Sequence, residues 1–243
     1  MEQLSYILAS TGSSILALLA SLVAGFIMGF INGILVTKLK TPSLIVTLAM
    51  QFVWIGAAQI LSKAKVTPIE HARELLINKI LVGRIGGVFP MQALWAFAIA
   101  IILGIILNRH RFGENVMVIG DNSATSKMMG INVDRTIIAV FSLTGLLAAF
   151  SSTLLTLDMA AWWPTFGPGY LLTTIAAVFL GGTSIYGGEG SIFGTVIGAF
   201  IMGSMTAGIV ASGVGEVWIS FAQGMVLIFA ILLNTFIHKR IVA

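Results

Sequence analysis

The chain has 243 residues, of which 58% are hydrophobic and 9% charged, whereas an ordinary soluble domain carries about 25% charged residues. This composition excludes a water-soluble globular protein, and the absence of cysteine excludes disulfides, thiolate metal sites and cysteine nucleophiles. The formal charge of +4 fits the basic loops that orient a membrane protein, and no basic patch interleaved with aromatics points to nucleic acid.

Apolar segments follow one another at residues 13–36, 44–61, 91–107, 137–157, 170–183, 191–212 and 217–237, and no polar stretch between them is large enough for a separate domain. The reading is an all-α polytopic membrane protein with about seven transmembrane segments in one domain spanning residues 1–243. The first segment has no basic leader and no small-residue cleavage site, so it reads as a permanent span. The fifth is the shortest. It ends at Gly181-Gly182 and is followed by Gly187-Gly188-Glu189-Gly190, the pattern of a broken or re-entrant helix. Irregular backbone at that depth must be buried in protein, because lipid leaves its amides unpaired.

Lysine and arginine set the orientation. Arg109, Arg111, Lys127 and Arg135 in the 108–136 loop, with Lys38, Lys40, Lys239 and Arg240, put eight basic residues in the cytoplasm against five in the outer loop of residues 62–90. Within that outer loop, Thr67-Pro68-Ile69-Glu70-His71-Ala72-Arg73-Glu74-Leu75-Leu76 reads as a short surface helix. The same count leaves Met1 outside, an uncommon start that creates an expectation of further spans upstream.

Gly25, Gly29 and Gly33 recur every fourth residue in the first segment, as do Gly190, Gly194 and Gly198 in the sixth, with Gly203 and Gly208 beyond. Such spacing lines one helix face with hydrogen atoms, so a second helix can approach closely and gain dispersion contacts. The packing this allows is either static or part of a bundle that slides between two states. Asn32, Gln51, Gln59 and Gln223 lie inside the apolar segments. A buried amide needs a partner or a wet cavity, so these residues either tie helices together or, at Asn32, Gln51 and Gln223, line a route for a hydroxyl-rich solute. No charged residue sits at the centre of a span, which argues against a proton relay, a voltage sensor or an ion-coupled carboxylate. On the outer side, Asp158 and Trp162-Trp163-Pro164 fit either an aromatic belt or the docking of an external partner.

Between the third and fourth segments, Asp121 or Asn122 can cap a short helix through Ala124, Thr125 and Lys127 that Gly130 ends in a left-handed conformation. Its apolar Met128 and Met129 would serve either as a flexible knob in a partner's groove or as a contact with the membrane surface. No G-x-x-x-x-G-K-[ST] loop is present, so ATP hydrolysis is not expected on this chain; H-E-x-x-H and G-x-S-x-G are absent as well.

Three blocks carry a family resemblance: Ile31-Asn32-Gly33-Ile34-Leu35-Val36 followed by Thr41-Pro42-Ser43-Leu44-Ile45-Val46-Thr47-Leu48; Arg111-Phe112-Gly113 with Gly120-Asp121-Asn122 and Gly130-Ile131-Asn132; and Gly181-Gly182-Thr183-Ser184 with Gly187-Gly188-Glu189-Gly190 and Gly194-Thr195. In these the sequence resembles the permease subunits of bacterial ABC importers for simple sugars, of the ribose and xylose type, whose relatives carry branched-chain amino acids or nucleosides. The resemblance implies a multi-pass protein of the bacterial cytoplasmic membrane that pairs with a second permease chain. It also implies a cytoplasmic ATPase that holds ATP and Mg, and an extracytoplasmic solute-binding protein. The Asp121–Gly130 segment would then be the helix seated in the ATPase, and no cofactor is expected on this chain. Family members carry spans before the first one seen here, in line with the N-terminal expectation above. A passive channel and a membrane-embedded enzyme are the competing classes; the second would need a cluster of carboxylates, histidines or a serine constellation, whereas Glu189 and Asp158 stand alone.

Overall fold

The computed structural model describes residues 14–68, 76–165, 167–185, 187–213, 215 and 217–242. Seven helices match the seven apolar segments: α1 (Ser14–Leu39), α2 (Ser43–Ser62), α4 (Met91–Arg109), α7 (Val133–Met159), α8 (Leu171–Leu180), α9 (Ile192–Ala211) and α10 (Val217–Val242). Between them lie α3 (Leu76–Leu81) and two loop helices, α5 (Arg111–Asp121) and α6 (Ser123–Met128). Five helices, α1, α2, α4, α7 and α9, are long and apolar enough to cross a membrane, while Leu171–Leu180 and Val217–Leu232 form shorter apolar helices. At 1.5 Å per residue, ten-residue α8 spans about 15 Å, half of a bilayer core of about 30 Å. The fifth segment is thus the short one, as its terminal glycines predict.

The chain packs as two compact units, one comprising residues up to Phe97 with Asp134–Gly167, the other Ala98–Val133 with Pro168 to the C-terminus. In the first, α1 crosses α7 with backbones in contact. A methyl group at Gly29 would collide with Phe141 O, one at Gly25 would lie 2.6 Å from Gly145 O, and one at Gly33 would lie 2.8 Å from Ile138 Cα. The hydroxyls of Ser21 and Thr153, 3.2 Å apart, add a polar tie at the same crossing. Leu81, Leu157 and Trp162 form a buried cluster with Trp95 and Phe150 packed against it, the latter two rings edge to face at 5.8 Å. Trp162 therefore belongs to the protein interior, and the aromatic-belt reading does not apply to it.

Most of the helix expected in the outer loop lies outside the described residues. Thr67–Pro68 (β1) pairs antiparallel with Ala161–Trp162 (β4), and Leu76–Leu81 carries the helical part; residues 69–75 of the expected helix, like residue 13 of the first segment and Met1, lie outside the described residues. Pro68 restricts Thr67 before it to extended backbone, which suits the ribbon. Arg84–Ile85 (β2) and Phe89–Pro90 (β3) close a second small ribbon. Because β1 and β4 are hydrogen-bonded, the two loops predicted to share the outer side do lie on one side of this unit.

In the second unit Ala176, Ala177 and Met202 form a fully packed core, with Met205, Val226 and Leu227 against it. The α8–α9 crossing is again made by glycines. A methyl group at Gly194 would strike Gly181 O, and one at Gly198 would strike Ala177 O and sit 3.0 Å from Gly181 N. The expected glycine face stops there: Gly190 makes an ordinary contact with Thr183, and Gly203 and Gly208 meet nothing within 4 Å. Four-residue spacing counts positions on a helix face but does not say how far along it a neighbour extends.

Candidate functional site

The 108–136 loop holds two helices where one is expected. His110 opens α5, its Nδ1 accepting from Phe112 N at 3.1 Å, and Gly113 lets α5 fold back on the end of α4, since a methyl group there would lie 2.5 Å from Ile106 O. Asn122 is the joint. Its N–H donates to Val118 O at 3.0 Å, closing α5, while its Oδ1 accepts from Ala124 N and Thr125 N at 3.0 and 3.1 Å, opening α6. Of the two capping candidates, Asn122 caps and Asp121 ends the preceding helix, because the chain turns extended only at Asn122. At the other end, Gly130 has φ +81°, and the bonds Gly130 N to Lys127 O and Ile131 N to Ser126 O make the paired closure that a left-handed glycine allows.

Ser126 locks the two helices together. It is fully buried, and its hydroxyl donates to Asn122 O at 2.7 Å and reaches Val118 O at 3.0 Å, one turn back in α5. Sequence reasoning passes over Ser126 because a serine amid polar neighbours gives no burial signal. The other faces of α6 are open: Asp121, Asn122, Ala124, Thr125, Lys127 and Gly130 are exposed, and Met128 and Met129 are 88% and 66% exposed.

The glycine-rich turn meets this loop. After α8, Gly182 takes φ +82°, with Gly182 N to Phe179 O and Thr183 N to Val178 O repeating the closure seen at Gly130. The turn is then pinned by Ser184 N to Glu189 O at 3.0 Å, and Ser191 Oγ caps α9 by accepting from Gly194 N. Gly187 and Gly188, at φ +89° and +75°, lie directly on the end of α5. A methyl group at Gly187 would collide with Gly120 O, one at Gly188 would be 2.9 Å from Asp121 Cβ, and one at Gly120 would be 2.7 Å from Gly188 N. Asn234 Nδ2 of α10 also donates to Thr183 O at 3.0 Å. Two motifs more than 50 residues apart thus form one assembly within this unit. No local signal announces the pairing, although the charge-based reading of the sequence expects both on one side of the membrane.

The amides are distributed. Asn32 and Gln51 belong to the first unit and Gln223 to the second. Asn32 Oδ1 and Trp54 Nε1 are buried without a hydrogen-bond partner, so at that oxygen the helix-to-helix bonding reading has no support. Trp54 was not singled out by the sequence, since tryptophan in a span ordinarily reads as apolar filling.

Residues 3–231 match the family described as branched-chain amino acid transport system / permease component, and the chain belongs to it. It is 31% identical over 226 residues to the ribose import permease protein RbsC of Escherichia coli (strain K12), covering 91% of this chain and 69% of that protein. It is 37% identical over 145 residues to RbsC of Bacillus subtilis (strain 168), covering 60% of this chain and 45% of that protein. It is also 37% identical over 153 residues to the xylose transport system permease protein XylH of Haemophilus influenzae, covering 63% and 40%. No solved structure matches. A chain of this family with these apolar helices is an integral protein of the bacterial inner membrane.

Proposed function

We propose that this chain is the membrane-spanning subunit of an ATP-driven importer that moves a monosaccharide inward, paired with a second permease chain, a cytoplasmic ATPase that holds ATP and Mg, and an extracytoplasmic solute-binding protein. The observation that carries the reading is α6: a six-residue helix, capped at both ends and locked by Ser126, holds two bare methionines away from the protein. An isolated helix of this length is unstable in water, so the caps and the buried hydroxyl maintain a rigid knob. A knob suits the groove of a soluble partner whose closure on ATP would shift it and bias the bundle between outward- and inward-open forms. The names of the relatives, ribose, xylose and fructose permeases, support a sugar as solute. Asn32, Gln51 and Gln223 are assigned to the pathway. A sugar hydroxyl both donates and accepts, which is what the orphaned Asn32 Oδ1 and Trp54 Nε1 lack.

Met128→Arg and Gly130→Arg test the docking role. Met128 is bare, so its replacement leaves the fold intact, while arginine at φ +81° costs about 1–2 kcal/mol and loosens the end of α6. Both variants are expected to reach the membrane, and to lose about tenfold or more in ATPase co-purification and in ATP-dependent uptake of labelled ribose, xylose or fructose. Retention of both activities removes the docking assignment. Uptake of labelled leucine in the same vesicles, unaffected by excess sugar, would favour the amino-acid reading instead.

A further inference from the structure

We propose that the Gly187-Gly188 step, seated on Gly120 and Asp121, is the mechanical link that carries movement of the α6 segment into the α8, α9 and α10 group. The proposal rests on α6 being the ATPase contact. A contact between two side chains can absorb a displacement by changing rotamer, whereas a contact between two backbones cannot. At Gly187 the main chain of the turn touches the main chain of Gly120 with no side chain between them, and Gly188 lies against the main chain and Cβ of Asp121. The turn is closed across its base by Ser184 N to Glu189 O.

The turn's remaining attachments lead to the three helices. It leaves α8 through the closure at Gly182, enters α9 past the Gly181–Gly194 crossing, and is held to α10 by Asn234 on Thr183 O. On the loop side, Asn122 and Ser126 tie α6 rigidly to α5. A push on Met128 therefore reaches the ends of α8, α9 and α10 through backbone and short hydrogen bonds alone. Gly120 and Asn234 act as positioning residues; neither is assigned contact with solute or ATPase.

Gly120→Ala isolates the link, because alanine within α5 favours the helix by about 1 kcal/mol while its methyl group forces Gly188 away. Asn234→Ala removes only the tie to Thr183. The reporter is Ser212→Cys, at the far end of α9, in a chain that has no other cysteine. The complex with ATPase and binding protein is reconstituted in liposomes and labelled with an impermeant maleimide, with and without ATP and vanadate. Without further substitution, ATP is expected to change the labelling rate about fivefold or more. Gly120→Ala should abolish that change and Asn234→Ala should reduce it, with ATPase binding and hydrolysis within about twofold of the starting level. Gly203→Ala, facing open space, should behave like the unmodified protein.

Full ATP-dependent change in Gly120→Ala overturns the link, and so does loss of ATPase binding in step with the labelling change, which would make the glycines part of docking. If Gly120→Ala fails to assemble, a full response in Asn234→Ala overturns it equally. If the unmodified chain binds no ATPase, it is the proposed function that falls.

Discussion

Gly29→Leu is expected to unseat α1 from α7 and to lower stability by about 3 kcal/mol, near the upper end of overpacking costs. Any Cβ at Gly29 meets Phe141 O, a main-chain atom of a helix with hydrogen bonds of its own to keep, so the two axes must separate. Separation removes the dispersion contacts along the whole crossing, which in lipid are the chief attraction between helices. For a chain of this size the loss corresponds to a fall of about 6–12 °C in the melting midpoint. Thermal unfolding in detergent, followed by loss of the monodisperse elution peak, reads it directly. Gly104→Leu is the matched control, since nothing lies within 4 Å of Gly104, and its midpoint should stay close to the starting value. Equal midpoints for the two variants would refute the close crossing.

Ser126→Val should unfold α6 while leaving the spans in place. The substitution removes the hydroxyl that donates to Asn122 O and inserts a methyl group at a site with 0% exposure, together worth about 2–3 kcal/mol. Six residues hold too few internal bonds to survive that loss. Amide exchange at Ser126–Met129 should accelerate about thirtyfold or more, equivalent to about 2 kcal/mol. ATPase co-purification should fall with it, since a disordered Met128 must be re-ordered on binding. Ser126→Ala, which removes the bond without adding volume, should show a smaller effect of about 1 kcal/mol. Unchanged exchange in Ser126→Val would show that the caps alone maintain α6.

Most of the helices and little of the contact network are legible in the chain itself. Apolar runs near the bilayer thickness locate the seven segments, and terminal glycines mark the eighth helix as short, because hydropathy and backbone freedom act within the few residues that carry them. The same locality makes Asn122 and Gly130 readable as the ends of α6: a cap reaches three residues and a left-handed closure five. The second loop helix, α5, is amphipathic in its own sequence, but the purpose of its glycines is not legible there: Gly113 seats it on the end of α4 and Gly120 meets Gly188.

Tertiary structure alone decided the partners. Gly145 is as necessary to the first crossing as Gly25 and Gly29, since a methyl group on it would lie 2.9 Å from Gly29 N, yet it belongs to no repeat. Pro68 directs Thr67 into a ribbon with Trp162, and Asn234 reaches back 51 residues to Thr183. Gly187 and Gly188 read as part of a broken helix that some other segment must cover, and only the packing shows that Gly120 is that segment. Hydropathy and capping are properties of a single stretch of chain, but a close contact depends on two stretches brought together by the packing of everything between them, and that pairing is not encoded in either stretch alone.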